Sequence, residues 1–361
     1  MDLVALMKSL SDATGVSGYE DEVRALVRQS FEASCDDIRQ DAMGSLIGLR
    51  RGTQRGERNR RRIMIAGHMD EIGLMVSRLD EGFLRFTQVG GYDVRILPGQ
   101  SVIVHGRKRL PGVIGSRPPH TAAGAKGVTP MDELFIDVGL SAGALAKQVE
   151  IGDWVTMDAT CTELGGDLLC GKAMDDRAGV AAVIACLDEL TRLPHEWDVY
   201  GVATVQEEIG LRGAFTSTYG VAPDVGIAVD VGFGKQPGVP EAQQEILGKG
   251  PTMTIGPNVH PALFKHIKDT ADLNEIPVQS SVTARGTGTD ANAMQITRAG
   301  IPAALLSIPV RNMHTPVETL SVKDLRRTGR LLARSIAGMG KDFIKSLTWA
   351  TTPSGGDTHA T

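Results

Sequence analysis

The sequence predicts an α/β protein whose largely parallel, layered sheet is interrupted by an inserted β-rich module. Apolar strand-like runs alternate with helical runs before residue 74 and after residue 171, a pattern typical of parallel sheets. Between residues 75 and 163, short strand-like pieces follow one another between glycine turns, which favours a small β module or barrel. Hydrophobic residues make up 42% of the 361 residues, enough for a sizeable core.

The N-terminal part of the chain predicts two helices and one buried strand. Residues 2–10 have a helical pattern. Ser17 and Glu20 have the spacing of a capping box, and the helix that would follow has an apolar face made by Val23, Leu26 and Val27. The run IMIAG at 63–67 is apolar throughout, as expected of a buried strand.

The remaining elements define the predicted domains. The insertion contains the pieces FLRFTQVGGYDVRILPGQSVIVHG, PGVIGSRPPH, ELFIDVG and IGDWVTM. Later in the chain, helices are predicted at 177–192, 211–219, 261–275 and 322–339, and strands at 198–205, 225–230 and 302–309. We expect an α/β domain of residues 1–74 and 164–346, a β-rich insertion at 75–163 and a flexible tail at 347–361.

Composition argues against several classes of protein. The formal net charge of -5 disfavours nucleic-acid binding, and the 4% aromatic content disfavours stacking sites for bases or sugars. No apolar run approaches the ~20 residues of a membrane span, and no signal-peptide pattern begins the chain. The four cysteines form no C-x-x-C pair, which fits a reducing cytoplasm and disfavours a cysteine zinc site.

Two adjacent aspartates, Asp175 and Asp176, precede the predicted helix at 177–192. One interpretation is structural, because acidic side chains stabilise the positive end of a helix dipole. The other is chemical, because neighbouring carboxylates can bind a cation. The pair alone does not decide between these interpretations.

Charged side chains also follow four predicted strands. His68 and Asp70 follow the strand at 63–67. Glu207 and Glu208 follow the strand at 198–205, Asp230 follows the strand at 225–229, and His314 follows the strand at 302–309. Ligands of open α/β sheets bind at the carboxyl ends of the strands, so we expect these side chains to meet there. Because neighbours in a regular strand face opposite ways, Glu207 and Glu208 can share a site only if the strand has ended by Gln206.

The conjunction of these residues favours a metal site. Carboxylates crowded at an apolar edge repel one another, and a divalent cation compensates that repulsion. Two histidines with several carboxylates form a nitrogen and oxygen ligand set suited to zinc, cobalt or manganese. One carboxylate can also bridge two ions ~3.5–4 Å apart, an arrangement typical of metal-assisted hydrolysis.

The chain resembles the TET or deblocking-type dinuclear metallo-aminopeptidases, which are related to glutamyl aminopeptidases and include relatives labelled endoglucanase. The matching motifs occur in family order between about residues 8 and 340: GVSGYE, AGHMDEIGLMV, GGYDVRILPGQSV, GVIGSRPPH, GKAMDDRAG, QEEIGLRGA, AVDVGFG, GTDANAM and MHTPVE. The resemblance implies a three-layer α/β/α peptidase domain with a mostly parallel mixed sheet. It also implies that the insertion is a small β-barrel or PDZ-like domain used for dimerisation.

The resemblance implies a role for each site residue. His68 and Asp230 would hold one metal ion, Glu208 and His314 a second, and Asp175 would bridge the two. Glu207 would be the general base, and Asp70 would orient the imidazole of His68. Asp290 and His120 match family positions near the substrate, although turn formation explains them equally well. Relatives often have a cis peptide bond after the bridging residue.

These expectations describe a cytoplasmic aminopeptidase that removes N-terminal residues from short peptides. Zn²⁺ is the expected ion, with Co²⁺ or Mn²⁺ as alternatives, and the expected assembly is a homo-oligomer, either a dimer or a dodecamer built from dimers. No nucleic-acid or membrane partner is expected. The alternatives are a deacylase or glycoside hydrolase, and a non-enzymatic assembly protein with structural metal ions.

Overall fold

The computed structural model describes residues 1–53, 60–118, 127–240 and 244–348. The helices in these ranges are α1 (Leu3–Asp12), α2 (Asp21–Glu32), α3 (Ala142–Leu145), α4 (Met174–Leu190), α5 (Arg212–Val221), α6 (Pro261–Leu273), α7 (Asp290–Ile296) and α8 (Val322–Ala337). The strands up to the insertion's end are β1 (Asp37–Gln40), β2 (Leu46–Arg50), β3 (Arg62–His68), β4 (Gly73–Asp80), β5 (Phe83–Val89), β6 (Ser101–His105), β7 (Arg109–Gly115), β8 (Phe135–Asp137) and β9 (Trp154–Met157). The later strands are β10 (Thr162–Glu163), β11 (Leu168–Gly171), β12 (Asp198–Thr204), β13 (Val225–Phe233), β14 (Thr252–Ile255), β15 (Gln279–Val282), β16 (Ala303–Arg311) and β17 (Glu318–Ser321).

A large mixed sheet forms the centre of the molecule. Its strand order is β1-β2-β12-β3-β13-β16-β17-β11-β10, with β14 and β15 attached beside β16. The four central strands β12, β3, β13 and β16 run parallel, and antiparallel strands flank them. The parallel register brings the carboxyl ends of these four strands to one edge of the sheet.

Helices cover both faces of this sheet. Helices α1, α2, α4, α6 and α8 pack on one face around a core that includes the fully buried Trp197 and Phe31. Helices α5 and α7 pack on the other face against Met64, Val202 and Leu305. The three-layer α/β/α arrangement and the mixed sheet confirm the predicted fold class.

The chain leaves the sheet after β3 and forms a closed barrel. The barrel order is β4-β5-β8-β7-β6-β9, and its own core includes Leu84, Val104 and Ile136. The barrel confirms that the insertion is a small β-barrel. The division of the chain into domains at 75 and 163 stays a prediction.

Aromatic stacking fixes the barrel against the sheet domain. The rings of His105 and Trp154 are stacked with centroids 3.4 Å apart, and Tyr19, in the segment before α2, stacks on Trp154 at 5.3 Å. Arg109 of β7 also forms an ion pair with Glu22 of α2. These contacts join β6, β7 and β9 to the N-terminal helices.

A buried ionic cluster joins the segment after β3 to α4. The Lys172 ammonium lies 2.8 Å from both carboxylate oxygens of Glu71, and Arg177 donates to Glu71 at 3.0 Å. Lys172 also donates to the carbonyl of Ala13, and Arg177 to the carbonyl of Leu10. Buried charges are stable only when paired and hydrogen-bonded in this way. The cluster therefore holds the end of α1, the turn after β3 and the start of α4 together.

Two local expectations are corrected. Ser17 does not cap α2: its hydroxyl is buried and donates to Asp70 at 2.6 Å, and the helix begins at Asp21 after Glu20. Strand β13 does not end at Asp230 but runs to Phe233, because β16 continues to pair with it, with Phe233 opposite Val310. The other predicted helices and strands are present with ends shifted by a few residues.

Two predictions fall on parts of the chain without a description. His120 lies outside the described residues, as does most of the predicted tail at 347–361. Among the helices that are described, none has the length and apolar character needed to cross a membrane.

Close packing of β3 on α4 generates a stability prediction. A Cβ atom at Gly67 would lie 2.7 Å from the carbonyl carbon of Gly179 and 2.8 Å from the amide nitrogen of Val180. These are backbone atoms, so the layers themselves would have to separate. We expect Gly67→Ala to lower the free energy of unfolding by about 1–3 kcal/mol.

Urea denaturation followed by circular dichroism measures this effect. Gly143→Ala is the matched control, because a Cβ there would meet nothing within 4 Å. Gly143 lies in α3, where alanine is favoured over glycine, so the control should leave the free energy of unfolding unchanged or raise it by up to about 1 kcal/mol. Equal stability of the two variants would contradict the close packing of β3 on α4.

Candidate active site

The predicted site residues come together at the carboxyl edge of the central strands. His68 is the last residue of β3, Glu207 and Glu208 follow β12, and His314 follows β16. Asp230 lies in β13 beyond the point where its pairing with β3 ends at Ala228. The parallel register of the four strands is what gathers residues so distant in sequence.

Asp175 lies between the two histidines. Its Oδ1 atom is 3.1 Å from Nε2 of His68, and its Oδ2 atom is 3.2 Å from Nε2 of His314. Burial opposes ionisation of Asp175, but hydrogen bonds from His314 and His68 outweigh it and lower the pKa of the carboxyl. Each oxygen of one carboxylate thus faces a different imidazole.

The two adjacent glutamates point to different histidines. β12 ends at Thr204, and Gln206 has a φ of 55°, which confirms that the strand has ended before Glu207. Glu207 Oε2 lies 3.9 Å from Nε2 of His68, whereas Glu208 Oε1 lies 3.4 Å from Nε2 of His314. The turn after β12 therefore places one glutamate beside each histidine.

Asp70 is the fully buried acceptor that fixes this turn. Its carboxylate accepts hydrogen bonds from the Glu207 amide at 3.0 Å, the Glu208 amide at 3.2 Å and the Ser17 hydroxyl at 2.6 Å. Burial opposes its charge, but these donors and His68 lower the pKa of Asp70. Nδ1 of His68 lies 3.2 Å from the Asp70 carbonyl oxygen and 3.5 Å from its carboxylate. Because a carbonyl can only accept, Nδ1 carries the proton and Nε2 faces the site.

The two adjacent aspartates, Asp175 and Asp176, have different surroundings. Asp176 is fully buried and accepts hydrogen bonds from the amides of Gly179 at 2.9 Å and His68 at 3.1 Å. It therefore caps the regular part of α4, whereas Asp175 points into the site. The Asp175–Asp176 peptide bond is cis.

The chemistry of the donor set fits divalent metal ions. Three sets of side chains bring possible ligand atoms within 4.8 Å of one another: His68, Glu207 and Glu208; His68, Asp176 and Asp230; Asp175, Glu208 and His314. Burial together with nearby carboxylates raises the pKa of Glu207 to about 10 and that of Asp230 to about 8. This excess of buried carboxylate is relieved when divalent cations supply compensating charge.

One predicted substrate residue lies beneath the site. Asp290, the first residue of α7, is 2% exposed and accepts a hydrogen bond from the Thr204 hydroxyl at 2.5 Å. Burial raises the pKa of Asp290 to about 6. Contact of Asp290 with substrate stays a prediction, as does that of His120, which lies outside the described residues.

Sequence reasoning missed three partners of the site. Ser17 was interpreted as a helix cap, yet it binds Asp70. Glu318 lies in the motif MHTPVE but received no role, and it accepts hydrogen bonds from two site amides. The Gly91 carbonyl accepts a hydrogen bond from Nδ1 of His314 at 2.9 Å. Motif position was the one available signal for Glu318 and Gly91.

Several curated and solved proteins are similar to this chain in sequence and fold. The chain is 39% identical over 339 residues to lysyl aminopeptidase of Pyrococcus furiosus, covering 90% of this chain and 94% of that protein. An aminopeptidase structure from Desulfurococcus kamchatkensis superposes with a TM-score of 0.89 at 37% identity, covering 97% and 98% of the two chains. The TET1 peptidase of Pyrococcus horikoshii superposes with a TM-score of 0.82 at 32% identity, covering 94% of this chain and 100% of that one. That peptidase is described as assembling into a tetrahedron or a large octahedral shell. The fold and site thus define a peptidase hydrolase.

The family model described as M42 glutamyl aminopeptidase matches residues 44–331. The chain belongs to the peptidase M42 family, which confirms the resemblance seen in its motifs. A structural neighbour from Thermotoga maritima titled endoglucanase, with a TM-score of 0.76 at 32% identity over 95% of this chain and 99% of that one, also agrees with the resemblance. The family implies divalent metal cofactors and aminopeptidase activity.

The hydrogen bonds of Asp70 generate a prediction. In Asp70→Asn one acceptor oxygen becomes an NH₂ group that faces an N–H donor in either orientation of the amide. We expect the free energy of unfolding to fall by about 1–3 kcal/mol and hydrolysis of amino-acid anilides to fall at least about tenfold, because the Glu207–Glu208 turn loses its anchor.

Asp41→Asn is the matched control for Asp70→Asn. Asp41 Oδ1 accepts hydrogen bonds from the amides of Met43, Gly44 and Ser45, each at 2.9 Å, in a turn away from the site residues. Asparagine suits such a turn, so activity should be unchanged and stability nearly so. If Asp70→Asn retains wild-type activity, the turn does not depend on this carboxylate.

Proposed function

We propose that the protein is a metal-dependent aminopeptidase that removes N-terminal residues from short peptides. It would use two divalent ions per subunit, with Zn²⁺ expected ahead of Co²⁺ or Mn²⁺. The observation that carries the proposal is Asp175, whose two oxygens lie 3.1 and 3.2 Å from the Nε2 atoms of His68 and His314. A carboxylate placed in this way suits a bridge between two ions.

The remaining ligands divide between the two histidines. Asp230 with His68 would hold one ion, and Glu208 with His314 would hold the other. Asp176 also lies near His68, but both its oxygens accept hydrogen bonds from backbone amides, which favours a supporting role. Bound divalent ions supply Lewis acidity toward a peptide carbonyl and lower the pKa of water.

Glu207 is the proposed general base. Its side chain is 9% exposed, and its Oε2 atom lies 3.9 Å from Nε2 of His68. Within the described parts of the chain, no backbone amide donates a hydrogen bond to this carboxylate. Burial raises the pKa of Glu207, and bound cations would lower it again, so the ionised carboxylate would accept a proton from water and deliver it to the leaving amine. Such a group contributes about 10²–10⁴-fold to the rate.

The surroundings of His314 leave room for a peptide. The His314 side chain is 34% exposed, and a cleft of ≈ 290 Å³ beside it is lined by apolar residues including Phe233, Val310 and Met313. A substrate side chain of moderate size fits such a cleft. We place Asp290 and His120 near the substrate on the family motifs alone.

Glu207→Gln tests the proposed base. Glutamine cannot accept the proton, so turnover of amino-acid anilides should fall about 10²–10⁴-fold while both ions remain bound. Elemental analysis of the purified variant measures the metal content, and chelators should abolish wild-type activity. Glu245→Gln is the matched control, a glutamate that is 8% exposed and outside the proposed ligands, and it should remain active.

Two results would count against this mechanism. Wild-type turnover by Glu207→Gln would remove Glu207 from the role of base. Chelator-resistant hydrolysis of cellulose without hydrolysis of anilides would favour a glycoside hydrolase, which uses carboxylates without metal.

We further propose a cytoplasmic homo-oligomer, either a dimer or a dodecamer built from dimers, with the dimer contacts made through the barrel. The assembly described for the TET1 peptidase of Pyrococcus horikoshii supports a large shell. Exposed apolar side chains on the inserted module, such as Val113 at 51% and Ile151 at 68%, support contacts there. Four free cysteines agree with a reducing compartment.

Light scattering in metal-replete buffer tests the assembly. The mass should be a multiple of 38.4 kDa, and Val113→Asp or Ile151→Asp should reduce it because a charge would be buried in the interface. Leu273→Asp is the control, since Leu273 is 85% exposed but lies on α6, outside the barrel. A monomeric wild type, or a mass sensitive only to Leu273→Asp, would contradict the proposal.

A further inference from the structure

Glu318 lies between the two segments that carry Asp175 and His314. It is the first residue of β17, which pairs with β11 on one side and with β16 on the other. In this register Glu318 is opposite Gly171, just before the segment that leads to Asp175. His314 lies in the turn between β16 and β17. The strand order thus places one buried carboxylate, 2% exposed, behind both site residues.

Each oxygen of Glu318 holds a different backbone amide. The His314 amide donates to Oε1 at 2.7 Å, and the Asp175 amide donates to Oε2 at 3.1 Å. Each amide donates to its own oxygen, so both acceptor atoms of the Glu318 side chain are occupied by backbone. One side chain therefore sets the separation of two backbone segments 139 positions apart in the chain.

The backbone at both anchored residues is irregular. His314 has a φ of 61°, in the left-handed region that a non-glycine residue seldom adopts. Asp175 has a φ of -78° and a ψ of 108°, outside the helical range of the α4 segment that follows. The left-handed conformation of His314 persists where the surroundings fix it, and the hydrogen bond from its amide to Glu318 is one such contact.

A second contact completes the orientation of His314. Its Nδ1 atom donates to the Gly91 carbonyl at 2.9 Å, which leaves Nε2 directed at Asp175 Oδ2 and Glu208 Oε1, at 3.2 and 3.4 Å. Gly91 orients the ring and Glu318 holds the backbone beneath it. Neither oxygen of Glu318 is among the grouped ligand atoms of the described residues.

We propose that Glu318 is a positioning residue that sets the distance between Asp175 and His314 and thereby the affinity of the ion they share. The inference rests on the proposed two-ion function. It assigns Glu318 no contact with substrate or ion. Partners that orient metal ligands typically change metal affinity by about 10–100-fold when they are substituted.

Two substitutions separate positioning from charge. Glu318→Gln keeps the size of the side chain but replaces one acceptor oxygen with an NH₂ donor, so one of the two amides loses its partner. Glu318→Asp keeps the charge but is one methylene shorter, so it cannot reach both amides. If Glu318 positions the ligands, both variants should bind the second ion about 10–100-fold more weakly. The first ion shares only Asp175 with it, so its affinity should fall less.

Calorimetric titration of the metal-free protein with Co²⁺, followed also by visible absorption, measures the two affinities separately. Glu245→Gln is the matched buried control and should bind as the wild type does. Raising the Co²⁺ concentration should restore anilide hydrolysis to both Glu318 variants. Melting temperatures of the metal-free proteins show whether each variant is folded, and the two Glu318 variants provide independent tests if one is not.

The outcomes are distinguishable. A wild type that binds fewer than two ions would overturn the proposed function itself. A wild type that binds two, with Glu318 variants that bind both equally well, would overturn the positioning role. Weak binding by Glu318→Gln together with normal binding by Glu318→Asp would show an effect of charge alone and would also overturn it.

Discussion

The geometry of the site depends on hydrogen bonds from backbone amides to buried carboxylates. Asp70, Asp176 and Glu318 each accept from two such amides, and each is at most 2% exposed. Loops at strand ends have no partner strand to satisfy their N–H groups, so a buried carboxyl side chain that accepts from two of these groups is an effective anchor. These anchors fix the residues that follow β3, β12 and β16 relative to the start of α4.

The same anchors concentrate negative charge. Carboxylates that hold the backbone lie behind carboxylates that face the histidines, and the buried cations Lys172 and Arg177 are paired with Glu71. Burial accordingly raises the pKa of Glu207 and Asp230. The buried carboxylates of the site can all be ionised only if a bound cation supplies positive charge. This is the physical reason why the site residues suit divalent metal ions.

Most of the site could be predicted from the sequence because it follows the strand pattern. His68, Glu207 and His314 come directly after apolar runs, and parallel strands bring their ends together. The supporting residues could not be predicted in the same way. Ser17 lies in a segment whose local pattern resembles a helix cap, and only the tertiary contact with Asp70 overrides that pattern. Glu318 depends on the register of β17 with β11, which no local pattern specifies.

The fold shows the same division. Element order and the barrel insertion follow from periodicity, whereas the end of β13 depends on how far β16 extends beside it. The antiparallel strands that flank the parallel centre are short, between two and five residues, and carry little pattern of their own. Long periodic segments are therefore the parts that sequence reasoning recovers, and pairing partners are the parts it does not.

The contact between Gly91 and His314 has a consequence for the barrel. Gly91 belongs to the connection between β5 and β6, so the acceptor that keeps the proton on Nδ1 of His314 is delivered by the inserted module. Docking of the barrel and binding of the proposed ion at Nε2 would therefore be thermodynamically linked. If docking of the barrel increases the affinity for the ion, binding of the ion stabilises the docked barrel. The free energy of the two effects is the same.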